Sequence, residues 1–170
     1  MDLYMIILRL IHIFFGVFWA GTTFFFVSFL QPTVKAAGPE GGKVMQRLAQ
    51  SRFATVMPLA AGLTVVAGAL MYWRVSGGLQ VGWITSGTGL SLTIGAVGGI
   101  LAFVIGLVVS RPAIVRVAEL AKEMQAAGGP PTPAQMAEIQ SLQKTLSSGA
   151  IWTAVLVAIA LLGMAVARYV

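Results

Sequence analysis

Residues 4–30 read YMIILRLIHIFFGVFWAGTTFFFVSFL. As a helix this run is long enough to cross a bilayer, because about 20 apolar residues at about 1.5 Å each span the hydrocarbon core. It nevertheless carries Arg9 and His12, the latter the only histidine of the chain. Ionisable groups are expensive inside a membrane, so their presence in an apolar run points to function. At about 100° per residue, Met5, His12, Trp19 and Phe26 recur every seventh position and share one face, with Arg9, Gly16 and Thr23 on its flanks. Phe14, Phe18 and Phe25 fall on the opposite side, where an aromatic surface suits lipid. The polar and small residues should therefore face protein. A lone histidine so placed is read equally well as a hydrogen-bonded structural residue.

The rest of the chain repeats the apolar theme. Of 170 residues, 58% are hydrophobic and 9% charged, and the mean hydropathy is +0.90. Too little charge is present to cover a water-soluble domain of this size, so the expected class is an all-α polytopic membrane protein. The absence of cysteine excludes disulfides, zinc–thiolate sites, iron–sulfur clusters and a thiol nucleophile. The net charge of +6 comes from basic residues flanking apolar runs. That pattern is one of topology signals and anionic lipid, with no nucleic acid implied. Asp2 in place of a basic leader, and the length of the apolar run, argue against a cleaved signal peptide.

Four membrane helices are expected, over about residues 4–30, 53–73, 90–110 and 150–167. Gln31-Pro32 should stop the first. A basic amphipathic segment over residues 39–51 reads as a short surface helix. Pro58 lies near the start of the second run, and Gly62 and Gly68 give that run small faces. Gly95 and Gly99 form a GxxxG pair in the third. After Arg111-Pro112, residues 112–148 read as a cytoplasmic helical hairpin, broken at Gly128-Gly129-Pro130-Pro131 and restarted by Thr132-Pro133. Glu119, Glu123 and Glu138 are expected to pair with Lys122 and Lys144. The predicted architecture is one membrane domain, a four-helix bundle with this hairpin between helices three and four.

Lys and Arg crowd the first and third loops, whereas the second holds only Arg74. Both termini should then be extracytoplasmic in a multi-pass protein of the cell's inner (plasma) membrane. That orientation places Met5, Arg9, His12, Met71, Arg74, Met164 and Arg168 in the outer half. Two chemistries suit such a set. Haem b needs an axial imidazole, small and aromatic residues along its slot, and cations for its propionates. His12 would supply the ligand, Gly16 and Trp19 the slot, and Arg9 or Arg74 the propionate partner, with Met71 or Met164 available for the sixth position. Alternatively, Cu(I) would be held by His12 with the thioethers of Met71 and Met164. Core filling by methionine and simple anchoring by arginine compete with both readings. Two chains in a homodimer would bring two His12 rings to one cofactor, and a subunit of a larger membrane complex would use His12 structurally. No carboxylate pair, nucleophile elbow, phosphate loop or dinucleotide fingerprint is present.

LRLIHIFFGVFWAGTTFF, followed by QPTVKAAGPEGGKVMQRL, resembles the copper-resistance D-like superfamily of small membrane proteins, and distantly the membrane protoporphyrinogen oxidases of the HemJ type. The residues that carry it are His12, Gly16, Trp19, Ala20 and Gly21, with further likeness in SRFATVMPLAAGLTVVAGALMYW and GLVVSRPA. The resemblance implies a four-helix membrane bundle whose first-helix histidine serves haem b or copper handling. The oxidase members carry additional polar groups in the membrane, and the apolar runs of this chain contain no lysine.

Overall fold

The computed structural model describes residues 2–170, and every regular element in it is helical. Helix α1 (Leu3–Phe25) begins at Asp2, whose carboxylate accepts the Tyr4 N–H and so occupies one of the unpaired donors of the first turn. The expectation that Gln31-Pro32 stops this helix is corrected. The chain widens into a π turn over Phe26–Leu30 and continues as α2 (Gln31–Ala36). Pro32 lacks an N–H, and its ring crowds the carbonyl one turn back. Opening the preceding turn relieves that crowding: the Gln31 N–H reaches five residues back to the Phe26 carbonyl.

The same solution recurs in the third apolar run. The helix over Gly87–Ile105 passes through a π turn at Gly106–Ser110 into the helix over Arg111–Ala127, with the Arg111 N–H on the Gly106 carbonyl. Between the two runs lie α3 (Gly38–Gln50), which is the basic amphipathic segment, α4 (Phe53–Val75) and the short α5 (Val81–Ile84). We denote Gly87–Ile105 as α6 and Arg111–Ala127 as α7. Helix α7 ends at Gly128, whose φ of 63° suits a residue without Cβ. Thr132 then caps α8 (Pro133–Val166), exchanging hydrogen bonds with Gln135 in a capping box. Helix α8 is a single 34-residue helix that joins the restart at Thr132 to the fourth apolar run.

Helix α1 packs along α4 and α6 along α8, while lighter contacts join α4 to α6 and α1 to α8. All four contribute to one buried layer: Trp19 and Ala20 from α1, Ala61 from α4, Ala102 from α6 and Val157 from α8. Small residues dominate because helices in an apolar solvent associate through close backbone approach and interhelical hydrogen bonds. Along α6 and α8 the intimate positions are Gly95, Gly98 and Gly163. A Cβ at Gly98 would stand 2.9 Å from the Leu156 carbonyl oxygen, and one at Gly163 2.8 Å from that of Ser91. Gly99, expected to share the seam with Gly95, is looser: its Cβ would lie 3.9 Å from the Ala160 methyl. The Ser91 hydroxyl donates to the Gly163 carbonyl at 2.8 Å, and Tyr72 and Thr93 join α4 to α6 at 2.5 Å.

Two sets of contacts define the ends of the molecule. At the terminal end, Arg74 pairs with Asp2 at 3.7 Å and Thr88 donates to the Val170 carbonyl at 2.8 Å. At the loop end, the Gln31 amide donates to Ser147. The three hairpin glutamates do not pair with Lys122 and Lys144. All three turn to Arg116, with Glu138 on Nε at 2.6 Å, Glu123 on Nη1 at 3.0 Å and Glu119 at 3.5 Å. A planar guanidinium with five donors can serve several carboxylates at once, which an ammonium on a flexible stem does less well.

Four helical stretches are long and apolar enough to cross a membrane: Leu3–Ala36, Phe53–Val75, Gly87–Ala127 and Pro133–Tyr169. Only 17–22% of the most apolar window of each is buried within the protein. Phe14, Val17, Phe29, Val108 and Leu162 are each at least 65% exposed. An apolar belt of this extent is untenable in water and fits the hydrocarbon of a bilayer.

Candidate functional site

The histidine of the first apolar run lies in the α1–α4 seam, about 12 Å along the helix from Tyr4. Its ring is half-buried. Nδ1–H donates to the Thr64 carbonyl oxygen of α4 at 2.8 Å. Because a carbonyl can only accept, Nδ1 carries a proton, and in the neutral ring the lone pair is on Nε2. Among the described residues no side chain or backbone group is hydrogen-bonded to Nε2, and it is not among sealed, unsatisfied polar atoms. Helix α4 makes room for the ring at Gly68, where a Cβ would lie 2.9 Å from His12 Cε1. One turn along, the roles reverse. Gly16 of α1 receives the Thr64 methyl, 3.3 Å from where its own Cβ would be. Ring into glycine, then methyl into glycine, locks the two helices in register. The Thr64 hydroxyl donates to the Ala60 carbonyl at 2.8 Å, which fixes the methyl toward Gly16.

The other residues singled out from sequence separate. Arg9 is exposed, has no carboxylate partner among the described residues, and lines an open groove of about 360 Å³ with Asp2, Met5, Ile6, Leu10 and Ile13. Arg74 is engaged with Asp2. Trp19 is buried in the four-helix layer with Ala20, Ala61, Ala102 and Val157, where it supplies packing. Met71 is half-buried on α4, three residues beyond Gly68. Met164 belongs to the other seam, its Cγ 3.4 Å from the Cβ position of Gly95.

What the α1–α4 seam offers a ligand is a single imidazole nitrogen. A metal-ligating histidine characteristically donates its other ring N–H to a carbonyl or carboxylate, which fixes the tautomer, and His12 does so. No group of three or more His, Cys, Asp or Glu that could hold an ion occurs among the described residues, and Met164 is committed to α6. The space beside Gly16, expected to admit a ring edge, is taken by Thr64.

Thr64 and Gly68 are the partners of His12 on α4 that the reading of helix one did not name. Their signal lies in the small-residue stripe Ala60, Ala61, Thr64, Ala67 and Gly68, which recurs at helical spacing along the buried side of α4. Compared with protein-family models, curated proteins and solved structures, the chain matches none of them.

Proposed function

We propose that this chain is a multi-pass inner-membrane four-helix bundle in which His12 Nε2 is the axial ligand of a haem b. Both termini are extracytoplasmic, α7 and the start of α8 form a cytoplasmic hairpin, and the role is electron transfer or that of a redox subunit. The observation that carries the reading is the Nδ1–H to Thr64 carbonyl bond, which leaves Nε2 as the ring nitrogen available to a ligand, on a ring held by glycine packing. Arg9, one turn nearer the terminal end and without a carboxylate partner among the described residues, is the cation for a propionate. The haem would supply one-electron chemistry, and the chain would hold it and set its electrostatic surroundings. The resemblance to copper-resistance D-like proteins implies that this histidine serves haem b or copper, and so does not choose between them.

One alternative is favoured by a specific observation. The interlock of His12, Gly68, Thr64 and Gly16 is complete as a helix clamp without any ligand, as in a non-catalytic subunit of a larger complex. An absorption spectrum of freshly purified protein separates the two. A Soret band in the wild type that is lost in His12→Gln, with helix content unchanged, is the expected result. Glutamine retains an N–H for the Thr64 carbonyl but offers no imidazole lone pair. Absence of the band, with copper found by metal analysis, turns the assignment to copper handling. Absence of both, with co-purifying proteins, leaves the clamp.

A further inference from the structure

At the loop end, far from His12, a second open groove of about 380 Å³ runs between the end of the third apolar helix and α8. Ile105, Val109 and Trp152 form its apolar wall, and Lys144, Thr145 and Ser148 its polar mouth. We propose that this groove binds an anionic phospholipid, with the headgroup phosphate on Lys144 and Ser148 and the acyl chain along Ile105, Val109 and Trp152.

Charge is the first argument. The loop end carries eight Lys and Arg and four Glu. Every one of those glutamates is already engaged: Glu40 with Lys43, and Glu119, Glu123 and Glu138 with Arg116. Gathering three carboxylates on one arginine leaves Lys144 without a carboxylate partner among the described residues, along with Lys35, Arg47, Arg52, Arg111 and Lys122. Lys144 lines this groove.

The second argument is the order of polarity along the groove. Lys144 to Trp152 spans two turns of α8, about 12 Å. Over that distance the lining changes from ammonium and hydroxyl to indole and aliphatic carbon, and Trp152 is 61% exposed. A free phosphate would gain nothing from the apolar half, whereas a lipid presents the same sequence of charge and hydrocarbon. The donors are also unequal. The Thr145 hydroxyl is turned back to the Ser141 carbonyl at 3.1 Å. Ser148 has no hydrogen-bond partner among the described residues and remains available with the ammonium.

Native mass spectrometry of the full chain in a non-ionic detergent tests the proposal with dioleoylphosphatidylglycerol, dioleoylphosphatidylcholine and inorganic phosphate as probes. The two lipids share their acyl chains and differ in headgroup charge. Retention of the glycerol lipid about fivefold above the choline lipid is expected, the worth of one basic residue near an anionic surface. Lys144→Gln should bring the two lipids level, and Lys144→Arg should preserve the preference. Lys122→Gln, which removes an equally unpaired charge outside the groove, should leave it unchanged. Equal retention of both lipids by the wild type, or an unaltered preference in Lys144→Gln, overturns the proposal. An equal loss in Lys122→Gln overturns it in favour of diffuse charge. Phosphate adducts that vanish with Lys144 overturn it in favour of a free-anion site.

Discussion

His12 and Gly68 show how one missing side chain sets the position of another. The every-seventh spacing of Met5, His12 and Trp19 foretold which way the imidazole turns, and the ring does face the neighbouring helix. Its acceptor was not legible, because a backbone carbonyl has no sequence signature. Gly68→Ala places a methyl 2.9 Å from Cε1, so the ring must tilt or the helices must part. A loss of about 1–3 kcal/mol is expected, by analogy with overpacked cores, read as a lower unfolding midpoint in detergent. Gly163→Ala, whose Cβ would meet backbone at 2.8 Å, should lose at least as much. Gly21 has nothing within 4 Å of its Cβ position. Gly21→Ala should therefore gain about 0.5–1 kcal/mol from helix propensity alone. Equal effects at the three positions would contradict the interlock.

Pro32 and Pro112 behave alike because each follows a π turn and so continues a helix that a proline would ordinarily break. Reading Pro32 as a stop followed from local chemistry. The surrounding helix could absorb one wide turn, and that possibility is not written in the residues themselves. The loop-end hairpin is held differently, by Arg116 on α7 against Glu138 on α8. The guanidinium hydrogen bonds hold the Glu138 carboxyl below its ordinary 4.5, and the carboxylates raise Arg116. A carboxylate whose folded value is depressed contributes stability that is fully present above its ordinary value. That contribution is lost as pH falls through the folded one. The hairpin should therefore resist proteolysis between Ala127 and Thr132 at neutral pH and become more readily cleaved as pH drops below about 4.5. Glu138→Gln should be cleaved more readily at neutral pH and show little further change on acidification. An unchanged wild-type rate across that range would remove Arg116 from the role of latch.

For the molecule entire, the apolar belt and the segregation of charge lead to one arrangement in the bilayer. Eight of the eleven Lys and Arg lie at the loop end, so the positive-inside rule predicts that this end faces the cytoplasm. The absence of cysteine makes this directly measurable. Gln46→Cys on α3 and Ala126→Cys on α7 should react with an impermeant thiol reagent only after the cell is opened. Thr85→Cys, in the connection at the terminal end, should react in intact cells. The reverse pattern would invert the orientation and move His12 to the inner leaflet.

The four apolar runs, their helical character and the inward turn of His12 follow from composition and periodicity, since apolar length and a 3.6-residue repeat act along a single segment. Which helix the imidazole meets, which glycines let backbones touch, and which cation reaches across the hairpin to Glu138 depend on residues 22 to 72 positions apart in the chain. Those distances in sequence close only when the helices pack, and no local rule ranks the pairings that packing selects.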